Sequence, residues 1–433
     1  MARKLFGTDG VRGVAGEVLT ADLALALGRA ATAGLDARAP RVVIIRDTRE
    51  SGDMLEAALA AGITAAGGDV LLGGVLPTPG APLLIARYGF DLGIVVSASH
   101  NPYRDNGIKF FGGDGFKLVD AAEEAIEARL GEPPAPGCAI GRVQALHGTT
   151  EDYLRALEGR FQGLDLTGMN LLLDCAHGAT HRVAPEIFRR LGATVTTIGA
   201  EPDGRNINDG VGSTHVDALA DAVVAGGHDA GFAFDGDGDR VLAVDRTGET
   251  VDGDELIALA ALHLRAEGRL GGGVAVTVMT NYGFHSAMRD AGIEVATTDV
   301  GDRYVLQALR ERGWALGGEQ SGHIIDMGFV PSGDGIASAL LTLEALAGAD
   351  LAERAAMRKL PQKLVNVRVS DKAAAMAAVA APADSEHQGL EGRGRVLVRP
   401  SGTEELVRVM VEAPTASECD AVCGRLVALV ETA

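Results

Sequence analysis

The chain has 433 residues, 47% of them hydrophobic and 4% aromatic, with 59 glycines and a formal net charge of −20 at pH 7. That charge excludes nucleic acid and an anionic membrane surface as general partners, and the few aromatic rings exclude an aromatic binding platform. An acidic ligand must therefore be met where the scarce cations concentrate.

Length predicts roughly three domains. The start, Met-Ala-Arg-Lys-Leu-Phe-Gly-Thr-Asp-Gly, has no apolar run after its charges, and no stretch could span a bilayer, so the expected compartment is the cytoplasm. Cys138, Cys175, Cys419 and Cys423 include no Cys-x-x-Cys pair and read as buried free thiols, with Cys419 and Cys423 sharing one helix face.

In chain order, Thr20 is the expected cap of a first helix. Val42–Ile45 is an apolar strand ending in Arg46-Asp47-Thr48-Arg49, and Ser51 is the expected cap of a second helix, which Gly67 closes. Val70–Leu72 is a strand before the Pro-Thr-Pro turn at 77–79. Ile94–Val96 ends a buried strand that runs into Ser97-Ala-Ser-His-Asn-Pro102, and Gly107–Phe111 follows as a further strand. This rhythm predicts a mostly parallel sheet covered by helices. The segment Glu132–Gly141 reads as a connection. A second unit has strands at Leu171–Asp174, Ala193–Ile198 and Ala230–Phe234 and a helix from about Thr180 to Leu191. A third has a helix from Asp254, strands at Val274–Val278 and Glu294–Thr297, a helix from Asp302 and a short strand at Trp314–Leu316. After Pro361 the tail reads strand, helix, strand, strand, helix. The three central units share length and rhythm, which suggests an internal structural repeat.

The loops carry the chemistry. Ser99 beside His100, at the carboxyl end of a strand, sits where open α/β sheets bind ligands. Ser-His adjacency alone is a weak signal, and a capped turn is its plain reading. Asp235-Gly-Asp-Gly-Asp-Arg240 sets three carboxylates at alternate positions, and the glycines permit the tight backbone that lets them converge. Such a set of hard oxygens repels itself unless a cation joins it. A calcium loop would need Gly and Glu where Arg240 and Arg246 stand, so Mg²⁺, held by a few carboxylates and phosphate oxygens at ~2.1 Å, fits better.

In Gly317-Gly-Glu-Gln-Ser-Gly-His323, Glu319 can accept hydrogen bonds from sugar hydroxyls or an amine, while Ser321 and His323 add donors; a plain glycine loop is the alternative. Arg399-Pro-Ser-Gly-Thr-Glu404, with Arg408 beyond it, forms an anion nest suited to a phosphate dianion. Arg12, Lys109, Arg240, Arg399 and Arg408 all lie in or beside these loops, which is where an acidic ligand needs them. No Gly-x-x-x-x-Gly-Lys-[Ser/Thr] or Gly-x-Gly-x-x-Gly run supports a nucleotide.

Together, Ser97–Pro102 with Asp105-Asn-Gly-Ile-Lys-Phe110, Asp235–Arg240, Gly317–His323 and Arg399–Glu404 resemble the α-D-phosphohexomutase superfamily, from Phe6 to about Glu412. The opening Phe-Gly-Thr-Asp-Gly-Val-Arg-Gly and the Glu-Gln-Ser-Gly-His form are similar to its glucosamine branch. The resemblance implies three related α/β domains with mixed sheets (1–148, 149–250 and 251–360) and a C-terminal α+β domain of the TATA-binding-protein-like class (361–433), heart-shaped around a central cleft. It implies that Ser99 carries a phosphoryl group and that Asp235, Asp237 and Asp239 hold Mg²⁺, with the Ser99 phosphate completing the site. Glu319 and Ser321 would grip sugar hydroxyls. Arg399, Ser401, Gly402, Thr403 and Arg408 would hold the phosphate that is not reacting. His323, His100, Arg12, Lys109 and Arg240 would line the reacting centre.

The implied reaction interconverts glucosamine 6-phosphate and glucosamine 1-phosphate, feeding UDP-N-acetylglucosamine and cell-wall precursor synthesis. Glucosamine or glucose 1,6-bisphosphate would serve as intermediate or activator. The partner is a small phosphosugar, with no nucleic acid and no membrane; the choice between monomer and homodimer stays open. One departure is Glu405, where the family has Pro, which adds a carboxylate beside a phosphate nest. Alternatives are a glucose- or mannose-phosphate mutase, a haloacid-dehalogenase-type phosphatase with Asp235 as nucleophile, and a sugar-phosphate-binding module without catalysis.

Overall fold

The computed structural model describes residues 5–7, 9–133, 139–401 and 404–432. Strands and helices alternate as their patterns predict, and the first sheet shows how that places the serine loop. Its strands lie in the order Phe6–Gly7, Gly10–Val14, Asp105–Gly112, Leu92–Val96, Arg41–Arg46, Asp69–Val75, Val143–Ala145. Leu92–Val96 is buried along its whole length, as an apolar run ending in the β-branched Ile94–Val96 demands. It pairs parallel with Arg41–Arg46 but antiparallel with Asp105–Gly112. The sheet is therefore mixed rather than mostly parallel. The eight residues between Val96 and Asp105 are too few for a parallel crossover, so the chain must turn straight back.

A second sheet runs Thr250–Val251, Val241–Asp245, Ala230–Phe234, Asn170–Asp174, Thr194–Ile198, and a third Glu294–Thr298, Gly273–Thr277, Leu316–Gly318, Ile324–Asp326. In each, an apolar central strand delivers a polar loop at its carboxyl end: Ala230–Phe234 leads into Asp235, and Leu316–Gly318 into Glu319. The tail follows its expected order, with the antiparallel strands Gln362–Arg368, Leu406–Glu412 and Arg395–Pro400 beside the helices Lys372–Gly389 and Ala416–Glu431. Cys419 and Cys423 do share the buried face of that last helix, and Cys175 is a buried free thiol too; Cys138 lies outside the described residues, as does part of the Glu132–Gly141 connection.

The chain packs as two compact units. One comprises the residues up to Val278 together with Ala296–Arg354, and the other Met279–Val295 with the chain from Ala355 on. Among the described residues no helix is long and apolar enough to cross a membrane.

Local expectations shift in a few places. Thr20 caps its helix, accepting from the Leu23 amide at 3.2 Å. Ser51 makes no such bond, because its Oγ accepts from Asn106 Nδ2 at 2.9 Å instead. The helix expected from Asp254 begins at Gly253, since Asp252 and Glu255 form a reciprocal capping box. The short strand lies at Leu316–Gly318 rather than Trp314–Leu316, and the helix expected from Thr180 spans Val183–Arg190.

One buried pair gives the first unit a pH signature. The Tyr153 hydroxyl donates to both Asp334 oxygens, at 2.9 and 2.8 Å, while Asp334 Oδ1 caps the helix Gly335–Leu346 through the Ala337 amide. Burial pushes the Asp334 carboxyl up to about 7, against the bonds from Ala337, Tyr153 and Ile336. The native state then holds a proton that the unfolded chain, with an ordinary carboxylate value, has released. That stabilisation is complete below about pH 4 and is lost as pH rises through about 7. Calorimetry across pH 5 to 8 is expected to show Tm falling with pH in the wild type and a flatter profile for Asp334→Asn, which keeps a capping oxygen. Parallel profiles would contradict this.

Candidate active site

The serine loop and the acidic loop meet within the first unit. Ser99 is buried and adopts φ 53°, a left-handed conformation uncommon for a residue with a side chain. Its Oγ donates to Asp235 Oδ2 at 2.6 Å and lies 3.2 Å from His100 Nδ1. Asp235, Asp237 and Asp239 each offer a carboxylate oxygen, and these oxygens lie within 4.8 Å of one another. The glycines between them are required by contact. A Cβ on Gly236 would come within 2.6 Å of the Ser99 carbonyl, and Gly238 sits at φ +71°.

The donors suit a hard divalent cation. Among the described residues, Asp237 Oδ1 and Asp239 Oδ1 are buried with no hydrogen-bond partner, which is costly unless a cation meets them. Burial, then Asp239 and Asp237, push the Asp235 carboxyl well above its ordinary value. This is how like charges behave when no cation offsets them.

The predicted cations gather here. Lys109 is buried, with Nζ 2.8 Å from Asp237 Oδ2 and 3.0 Å from Asp9 Oδ2. Burial opposes its charge, but Asp237, Asp9 and Asp239 outweigh that and raise its pKa above the ordinary lysine value. Arg240 donates its backbone N–H to Asp235 Oδ1 at 3.2 Å, and its side chain approaches Asp239 at 3.8 Å. Beside the triad opens a cavity of about 510 Å³ lined by Arg12, His100, Asp239, Arg240, Glu319 and His323, among others. His323 lies 3.6 Å from Asp239, and its pKa is raised because Asp239 and Asp302 outweigh the effect of burial. Burial lowers that of His100, helped by Arg240 and Arg12, which favours the neutral imidazole. Glu319 accepts from the Gly301 amide at 3.1 Å. Of the residues predicted for this site, Ser99, Asp235, Asp237 and Lys109 are buried behind the cavity wall rather than on it, and Ser321 is exposed on its loop.

Several participants are absent from the sequence reading. Asp9 bridges Lys109, Lys117 and Arg12; burial raises its carboxyl, but those cations together hold it well below the usual range. Thr78 Oγ1 donates to Asp237 Oδ2 at 2.7 Å. Arg49 and Asn208 grip the serine loop from behind. The Pro-Thr-Pro turn and the Arg-Asp-Thr-Arg strand end were visible as polar loops at strand ends, the one signal that could have found Thr78 and Arg49.

The second unit carries the other predicted cluster. Arg399 and Arg408 face each other across the pair Arg395–Pro400 and Leu406–Glu412, and Arg408 Nε is buried without a hydrogen-bond partner among the described residues. Ser401 Oγ accepts from the Glu404 amide at 3.2 Å. Gly402 and Thr403 lie outside the described residues. The unexpected Glu405 is 72% exposed at its side chain and pairs with Lys372 at 3.3 Å, so its charge has a partner of its own.

Profiles of phosphoglucomutase/phosphomannomutase domains match in series: α/β/α domain I at 3–134, domain II at 144–248, domain III at 252–364 and the C-terminal domain at 364–429. The chain belongs to the phosphoglucomutase/phosphomannomutase family. Within that family it is 51% identical to the phosphoglucosamine mutase of Moorella thermoacetica, over 98% of each chain. The crystal structure of a phosphoglucomutase/phosphomannomutase family protein from Burkholderia thailandensis superposes with a TM-score of 0.85 at 25% identity, over 99% of this chain and 97% of that one. The N-acetylphosphoglucosamine mutase of Aspergillus fumigatus, solved with GlcNAc-6P and magnesium, shares the fold (TM-score 0.67, 19% identity, covering 99% and 96%).

Proposed function

We propose that this family member is a phosphoglucosamine mutase, an isomerase that interconverts glucosamine 6-phosphate and glucosamine 1-phosphate through phospho-Ser99 and a 1,6-bisphosphate. The observation that carries this is the Ser99 hydroxyl 2.6 Å from Asp235, inside a carboxylate triad and beside a cavity bearing both cations and Glu319. Near 50% identity along the whole chain to a phosphoglucosamine mutase supports the choice of sugar. The four matched segments support reading the chain as four domains, at 1–148, 149–250, 251–360 and 361–433.

Asp235, Asp237 and Asp239, with Ser99, would hold Mg²⁺, which when bound offsets charge on the phosphoryl oxygens. The other roles fall to the chain's own groups. In the forward half-reaction the P–Oγ bond of phospho-Ser99 breaks as a bond forms from phosphorus to the sugar O1. The proton that the O1 hydroxyl gives up is balanced by the one that Ser99 Oγ takes up as it leaves, so the serine hydroxyl is restored. The neutral His100 imidazole, 3.2 Å from Oγ, can exchange a proton with the serine oxygen. Arg12 and Arg240 face the cavity and offset charge as it moves. Glu319 is placed to accept from sugar hydroxyls or the amine. The bisphosphate turns over, Ser99 takes back the 6-phosphoryl group, and glucosamine 1-phosphate leaves. Arg399, Ser401 and Arg408 form an anion-binding face suited to the phosphate that is not reacting.

Glucosamine, glucose and mannose 6-phosphates, compared with Mg²⁺ and a trace of glucose 1,6-bisphosphate, test this reading. The highest kcat/KM is expected for glucosamine 6-phosphate. A clear preference for glucose or mannose would reassign the substrate within the family.

A further inference from the structure

Arg49 is 1% exposed and touches neither the cavity nor the acidic triad, yet its guanidinium is spent almost wholly on one loop. Nη2 donates to the carbonyls of Ser99 at 2.9 Å and Asn101 at 2.8 Å. Nη1 donates to Asp105 at 2.9 Å and also to Pro102. Nε donates to Asp47 Oδ2 at 2.8 Å, and the same oxygen accepts from Ser97 Oγ at 2.6 Å. Ser97 Oγ in turn accepts from the Ser99 amide at 3.0 Å. From the second sheet's segment, Asn208 Nδ2 donates to Ser99 O at 2.9 Å and to Asn101 O at 3.1 Å.

Both peptide groups of Ser99 are thereby fixed. Its N–H is held through Ser97 and Asp47, and its C=O through Arg49 and Asn208. This matters because Ser99 sits at φ 53°, a left-handed conformation that a residue with a Cβ leaves unless it is held there. A short polar loop left to itself would relax, and relaxation would swing Oγ off Asp235. A planar fork with five donors can hold four carbonyls at once; an ammonium, with three donors on a point charge, cannot.

We propose that Arg49 is a positioning residue for phosphoryl transfer: it holds the serine loop in the left-handed turn that sets Oγ on Asp235, and Asn208 ties that turn to the segment bearing the acidic triad. This rests on Ser99 as the phosphoryl carrier. Arg49 touches no reacting atom, so its loss acts on kcat and leaves substrate binding alone.

The test is Arg49→Lys in the full chain. With Tm and circular dichroism confirming a folded protein, kcat on the wild type's best phosphosugar is expected to fall about 10²-fold, as for a displacement near 1 Å, with KM within about 2-fold. The crystal structure of the variant is expected to show Ser99 at negative φ with Oγ withdrawn from Asp235. A lower Tm with unchanged kcat would make Arg49 merely structural and overturn the proposal. So would a Ser99 still left-handed on Asp235, and that readout holds even if the wild type turns over none of the sugars tried, a result that would count against the functional reading instead. Should Arg49→Lys not fold, Asn208→Ala removes the amide group that makes both bonds from the second sheet's segment. It is expected to lower kcat about 10-fold at constant KM, and an unchanged kcat overturns the proposal.

Discussion

Ser99→Ala is expected to yield a folded protein with no mutase turnover, kcat falling on the order of 10⁴-fold or more because the group proposed to carry the phosphoryl is gone. The fold should survive, because alanine suffers the same left-handed backbone and the carbonyl grip of Arg49 and Asn208 does not involve Oγ. What is lost is the 2.6 Å bond to Asp235, and a buried carboxylate oxygen without its donor costs about 1–3 kcal/mol. A cation in the triad would meet that oxygen, so the loss of Tm should be larger in chelator than in Mg²⁺. Intact mass after incubation with glucose 1,6-bisphosphate should show one added phosphoryl group on the wild type and none on the variant. The same experiment separates the rival chemistry. A nucleophilic Asp235 would let Ser99→Ala go on releasing inorganic phosphate, and such release would end the serine-carrier reading.

The parts of this site legible in the sequence are those whose chemistry is local. Three aspartates spaced by glycines can be seen to converge without knowing the rest of the fold, and Ser99 and Glu319 stand out as polar residues after apolar strands, though a turn and a glycine loop would read the same way. The tail's five elements were legible because each runs at least six residues without a break, the helices for 18 and 16. What escaped depends on contacts between distant segments. Asp9 looked like an ordinary loop residue, yet it is held between Lys109 and Lys117, about a hundred positions away. Thr78 lay in a turn marked only by its prolines and is hydrogen-bonded to Asp237. Arg49 read as a polar strand end because nothing near it indicates that four carbonyls of a later loop converge there. The mostly parallel sheet was a misreading of the same kind: βαβ rhythm sets the prior, but the short return from Val96 to Asp105 forces an antiparallel neighbour. Ser51 lost its capping role to a side chain 55 residues on.

Lys109→Met is the second large effect expected, and it separates the two ways in which the acids can be balanced. The ammonium is 1% exposed at its side chain and lies 2.8 Å from Asp237, 3.0 Å from Asp9 and 3.7 Å from Asp239. Methionine fills similar space without charge. Asp9 keeps Lys117 and Arg12, whereas Asp237 keeps, among the described residues, only the Thr78 hydroxyl, so the uncompensated charge falls on Asp237. Breaking a buried pair on one side costs about 3–5 kcal/mol, and the first unfolding transition in chelator should move down accordingly. Turnover should fall about 10²–10³-fold, as when one preorganised electrostatic contact is removed. Mg²⁺ should then recover more stability in the variant than in the wild type, because a divalent ion in the triad supplies the charge the ammonium had provided. Calorimetry of both proteins with and without Mg²⁺ reads this directly. If Mg²⁺ raises both transitions equally, the lysine and the cation balance different carboxylates, and Lys109 belongs to the Asp9 cluster rather than to the metal loop.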